Sequence, residues 1–140
     1  MRNDKTADKL VYRLKHYPAV SNNAHLWEAI LWPQVRTAVI GTLSHYTALR
    51  LHELSDVNPA ETHITVPRSL RITRLRPRDL VVHNADLTKH EVEYVDGLPT
   101  TTVERTLRDI AALGNSVALN DALRDARTRN LRIPSELLNA

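Results

Sequence analysis

The chain has 140 residues, a formal net charge of +3, no cysteine and no phenylalanine. That length makes one domain the expectation, with enough chain to bury a core without a metal or disulfide. The missing cysteines exclude a disulfide framework and any thiolate-ligated metal or iron–sulfur site, and no apolar run approaches the roughly 18 to 20 residues needed to span a bilayer.

The polar N-terminus lacks the hydrophobic part of a signal peptide, so a cytoplasmic protein without membrane contact is expected. Arginine supplies 15 of the 19 basic residues. Its planar fork suits bidentate phosphate or carboxylate contacts, which raises the prior for nucleic acid. The few aromatic residues argue against a base-stacking platform.

Residues 1–9 read as a flexible tail, leaving a single domain over 10–140. Leu10 to Leu14 suits a short strand that does not continue through Pro18. Ser21 or Asn22 begins a predicted helix through Leu31, with Leu26, Trp27, Ile30 and Leu31 as its apolar side and Pro33 as its stop. Trp27 and Trp32 are expected to be core or domain-contact residues rather than stacking platforms for a ligand. Val35 to Leu43 is apolar and interrupted by Gly41. Ser44 is then expected to cap a helix from about His45 to Leu54, with Ala48, Leu49 and Leu51 facing inward.

Short strands follow. In His63 to Pro67, Ile64 and Val66 alternate with His63 and Thr65; Ser69 to Leu75, Leu80 to His83 and Glu91 to Val95 are the others, with polar Asn84 to His90 as a connection. Gly97 and Pro99 punctuate the backbone, and one of Thr100 to Thr102 caps a helix on which Val103, Leu107, Ile110 and Leu113 recur at helical spacing. Glu104 with Arg108, and Arg105 with Asp109, form favourable pairs four residues apart. A last helix is predicted from Ser116 to about Arg127, with Val117, Leu119, Ala122, Leu123 and Ala126 inward. The tail through Ile133, Pro134 and Leu138 either packs internally or offers a docking surface. The fold class expected is α/β (α+β): a small twisted mixed sheet packed against several helices, the Ser44 and Val103 helices first.

Arg68, Arg71, Arg74, Arg76 and Arg78 fall within eleven residues without an intervening acid. They are the candidate nucleic-acid-binding residues, attracting phosphate without specifying bases, with Arg50 and Arg36 as extensions of a positive face. The competing reading is a solvated sheet edge whose charges discourage association. Catalysis finds less support. Glu91 and Glu93, on one strand face near Asp86, Lys89 and Asp96, could hold Mg2+, but no arrangement for a positioned water stands out. His45 and His52 lie seven apart without a third ligand at a telling spacing. Ser44 and His45 are adjacent, which does not make them a nucleophilic pair. No enzyme, metal or cofactor is expected.

Gly41-Thr42-Leu43-Ser44-His45, then Ala48-Leu49 and Leu51-His52-Glu53-Leu54, resemble the start of the effector-side domain of the AbiEi-type antitoxin family. His63-Ile64-Thr65-Val66-Pro67, Leu98-Pro99-Thr100-Thr101 and Arg105-Thr106-Leu107-Arg108-Asp109 resemble later segments of that family in the same order, over about residues 10–127. The resemblance implies an antitoxin or transcriptional regulator of a type IV system. Its toxin would be nucleotidyltransferase-like and need not be bound stably. Leu10 to Leu14 is similar to the end of the family's winged helix-turn-helix, most of which would lie before the sequence present, so a short tail could not replace a recognition helix. A related group carries a restriction-endonuclease-like domain farther downstream, for which a chain ending at Ala140 leaves no room, and nuclease activity is not expected. Arg105 and Asp109 become structural under this resemblance. The alternatives are a partner-binding domain or a truncated remnant without autonomous DNA binding and, behind these, a metal-dependent nucleic-acid enzyme.

Overall fold

A computed structural model describes residues 23–34, 39–56 and 58–138. The tail at 1–9, the Leu10 to Leu14 strand, Pro18, the caps Ser21 and Asn22, and Arg36 lie outside them. Helix α1 (Ala24–Leu31) buries Leu26, Ala29 and Ile30 and runs into a 3-10 turn at Trp32–Gln34 containing Pro33. Proline lacks the N–H that a continuing helix requires.

Strand β1 (Thr42–Leu43) leads directly into helix α2 (His45–Leu51). That helix is shorter than expected. Its C-cap is His52, Glu53 turns left-handed at φ 57°, and the Leu54 amide donates back to the Leu49 carbonyl at 2.9 Å. Strands β2 (Thr62–Val66) and β3 (Leu80–Asn84) lie side by side in parallel, and β4 (Val92–Val95) and β5 (Leu98–Thr101) form an antiparallel hairpin. The five-stranded sheet has the order β3-β2-β1-β5-β4, with β1 antiparallel to β2 and parallel to β5. This is the mixed sheet expected from the sequence.

Strand β5 is absent from the sequence reading, because Pro99 reads as a breaker. The signal lay just upstream. Asp96 (φ 52°) and Gly97 (φ 79°) both take left-handed conformations between Val95 and Leu98, the two-residue Asp-Gly connection that matches strand twist. The predicted strand at Ser69 to Leu75 is not a strand. The segment keeps period-two burial, Leu70, Ile72 and Arg74 inward and Arg71, Thr73 and Leu75 outward, but has no ladder partner. Alternation reports a two-sided environment, which packing onto the sheet's cluster satisfies without pairing.

Helix α3 (Val103–Leu113) starts at Thr102, whose hydroxyl accepts from the Arg105 amide at 3.3 Å, and ends on Gly114 at φ 80°. Leu107 and Ile110 are fully buried; Leu113, expected inward, is exposed. Helix α4 (Ser116–Thr128) is capped by Asn115 and buries Ala118, Ala122, Leu123 and Ala126, whereas Val117 faces solvent. In the tail Leu131, Ile133 and Leu137 pack against these helices.

Two apolar clusters result. One joins α1 to Leu43, Ile64, Val66, Leu80 and Leu98 of the sheet; the other joins Leu49 and Leu54 to α3 and α4. Ile64 and Val66 face α1. His63 and Thr65 project the other way, toward α2, and are buried as well. Trp27 and Trp32 pack half-buried against the first cluster.

Candidate functional site

The five candidate arginines all lie on residues 67–79, the crossover from β2 to its parallel neighbour β3. Its base is tied down. The Arg68 amide donates to Asp86 Oδ1 at 3.0 Å, and the Asn84 side-chain amide donates to the carbonyls of Pro67 (3.2 Å) and Leu70 (3.0 Å). Its middle is pinned by Arg74, which donates to the Trp32 carbonyl and stacks its guanidinium over the Trp32 ring at 4.4 Å. Arg74 therefore does not share an open face with Arg76 and Arg78; it anchors the loop.

Arg68, Arg71, Arg76 and Arg78 are exposed, and none of the five arginines forms an ion pair among the described residues. Arg71 donates to the Arg68 carbonyl at 3.2 Å, which holds these two near each other. Arg76 borders a cavity of about 320 Å³ that it shares with Trp32, Ile72 and Val82. The result is a positive, largely unpaired surface on an anchored loop, suited to a polyanion. Arg50 is exposed but donates to the Asn58 side chain, outside this loop.

A second constellation was not legible in the sequence. His45 opens α2, His63 lies on β2 and His83 on β3, and the three rings stack. Centroids are 3.6 Å apart for His45–His83, 5.3 Å for His63–His83 and 6.1 Å for His45–His63. His63 Nδ1 lies 3.0 Å from His83 Nε2, so one must donate and the other accept. Ser44 is fully buried and does not cap α2 with its side chain as expected. Instead its Oγ accepts from Thr65 Oγ1 at 2.7 Å and lies 2.8 Å from His45 Nδ1. With one lone pair taken by Thr65, the Ser44 hydroxyl can donate to that nitrogen or accept from it, according to the imidazole tautomer. Burial, followed by His83 and His63, pushes His45 down to about 3; burial and His63 push His83 down to about 4. His63 is lowered by burial. His45 also carries a positive φ of 54°, a strained backbone at a helix start. Ser44 and His45 do meet, but away from solvent. His52 is elsewhere, donating from Nε2 to the Thr101 carbonyl at 2.7 Å.

The acids are dispersed. Glu91 precedes β4 in a 3-10 turn (Lys89–Glu91), where it forms a reciprocal capping pair with Thr88, so it does not share a strand face with Glu93. Arg105 bridges it to α3, with 3.0 Å contacts to both Glu91 Oε2 and Asp109 Oδ1. Burial alone would raise the Glu91 carboxyl; the Thr88 amide and Arg105 outweigh it and hold it below the usual range. Asp109 is raised by burial despite Arg105, and its Oδ2 has no hydrogen-bond partner. Glu93 Oε1 stands 3.7 Å from His52 Nδ1. Among the described residues no group of three or more histidines and carboxylates is arranged to hold a metal ion, and no helix is long and apolar enough to cross a membrane.

No family model, curated protein or solved structure matches the chain. The fold is a mixed five-stranded sheet with α1 on one face and α2 on the other, carrying an arginine-rich crossover at one edge.

Proposed function

We propose that the protein is a noncatalytic, antitoxin-like regulator of a type IV toxin–antitoxin system, cytoplasmic, contacting DNA phosphates through the β2–β3 crossover. The observation that carries this reading is that four exposed arginines, unpaired among the described residues, sit on one loop whose base and middle are fixed. Guanidiniums held without internal carboxylates retain their full attraction for phosphate. The ordered motifs from Gly41 to Asp109 support the antitoxin part. Full burial of Ser44, beside an imidazole held neutral, supports a noncatalytic role for that pair.

The test is a fluorescence-anisotropy titration of the purified chain against its own promoter duplex and a scrambled duplex, at low and physiological salt. Promoter preference that survives physiological salt is the expected result for a regulator. Absence of binding to either duplex would overturn the DNA contact and leave the toxin-linked role. That role is read separately, by whether the chain restores growth to cells expressing the nucleotidyltransferase-like toxin.

Partner binding is a second reading, favoured by Leu113 and Val117, which stand 44% and 71% exposed on either side of the α3–α4 turn. It predicts that Val117→Asp leaves the fold intact and abolishes co-elution with a polypeptide encoded by the neighbouring reading frame.

A further inference from the structure

Leu75 is the most exposed large apolar residue among those described, at 94%, and it sits between Arg74 and Arg76 with Pro77 following. A singly exposed leucine is ordinary on a protein surface; what sets Leu75 apart is its place between two arginines on a loop pinned at Arg74. The backbone around it does not relax the position. Ile72 and Arg74 face inward on either side of outward Thr73, and Arg74 is clamped to Trp32. Leu75 is thus presented outward from a fixed point, with Arg76 and Arg78 exposed on its C-terminal side and Arg71 on its N-terminal side.

We propose that this segment enters the minor groove of an A·T-rich DNA duplex and that Leu75 wedges between base pairs there. The inference rests on the reading of the crossover as a DNA contact and names what it contacts. Three features select the groove. Residues 71–77 are a single irregular strand of chain without a helix or ladder partner, whereas the wide major groove is filled by a helix or a two-stranded ribbon. Arginine is the side chain drawn into the narrow, strongly negative minor groove of A·T-rich sequence. Apolar wedges flanked by basic residues are the means by which minor-groove proteins open a base step, and TpA is the step that opens most readily. An anionic lipid surface would also attract arginines around a leucine, but the proline-bounded loop provides one apolar side chain and no apolar face to immerse.

The experiment uses the full chain with two labelled duplexes of equal length, one A·T-rich with a central TpA step and one G·C-rich, at about 0.15 M salt. A 2-aminopurine in the TpA step reports unstacking, and vesicles of phosphatidylserine and phosphatidylcholine form a separate arm. The A·T-rich duplex is expected to bind about tenfold tighter, with 2-aminopurine fluorescence rising on binding. Leu75→Ala should lose that rise and most of the preference while leaving the salt dependence unchanged, because leucine displaces no counterion. Circular dichroism checks that this exposed substitution leaves the fold in place. Equal affinity for both duplexes, or a Leu75→Ala variant that still unstacks the step, overturns the insertion and leaves phosphate contact standing. No binding to either duplex overturns both, and vesicle binding that is lost in Leu75→Ala overturns the insertion by assigning the leucine to a lipid surface.

Discussion

Arg105 adds an ionic tie between two pieces of chain already joined by the hydrogen bond from the Thr102 amide to the Glu91 carbonyl at 3.0 Å. Its guanidinium holds Glu91, at the entry to β4, and Asp109, one turn farther along α3, with all three side chains mostly buried. Removing it takes the ionic partner from Asp109, which already has an unpartnered oxygen, and leaves Glu91 with its Thr88 contact alone. Arg105→Ala is therefore expected to cost about 2–3 kcal/mol in chemical denaturation. Arg105→Lys should recover only part of this, since one ammonium cannot reproduce two divergent contacts. The histidine stack gives a pH dependence of defined sign. Unfolded imidazoles titrate near 6.5, whereas folded His45 and His83 titrate near 3 and 4. Between these limits the unfolded chain binds more protons, so the stack's contribution is fully present above 6.5 and is lost as pH falls through about 4. Asp109, raised by burial, opposes this at the acid end. Urea midpoints should fall between pH 7 and pH 4.5, and pH-independent midpoints would show that the imidazoles titrate freely.

At the level of elements, the shortest strand is the most constrained. β1 has only Thr42 and Leu43 yet links the two halves of the sheet, and Gly41 enters it with its amide donated to the Ile30 carbonyl at 2.8 Å. A Cβ on Gly41 would stand 2.9 Å from Ile64 Cδ1 and 3.2 Å from Ile64 Cβ. Gly41→Ala should destabilise by about 1–3 kcal/mol through overpacking at the β1–β2 seam. Gly97→Ala fails for a different reason. Its Cβ would meet open space, but φ is +79°, and the left-handed backbone costs an L-residue about 1–2 kcal/mol. Thermal melts of the two variants, with Leu43→Ala as a cavity-forming comparison, separate packing from backbone strain. The helices are legible because period and caps are local: Pro33 and one of Thr100 to Thr102 mark ends in the sequence, and the structure adds Gly114 and Asn115. Leu113 and Val117 keep the apolar spacing of their helices yet face solvent, because that spacing continues past the turn where the neighbouring element stops covering it.

Across the whole molecule, the small net charge conceals an uneven distribution, with Arg68, Arg71, Arg76 and Arg78 concentrated on one crossover. If these four each displace one counterion on duplex DNA, the logarithm of affinity should fall with the logarithm of salt at a slope of about −3 to −4. Replacing Arg68, Arg71 and Arg76 together by alanine should bring the slope to about −1 at unchanged melting temperature. Arg74 is left in place because it packs on Trp32. A folded triple variant with unchanged affinity would remove the loop as the contact surface. The sequence by itself determined the α/β class, the helix positions, the alternation along β2 and the density of arginine between 68 and 78, because propensity, period and composition are properties of neighbours along the chain. Only the tertiary structure decided that Ser69 to Leu75 lacks a ladder, that Arg74 turns inward while Leu75 faces out, and that His45, His63 and His83 stack. Those outcomes depend on strand order and on which face is covered, and both are set by burial between segments far apart in the chain.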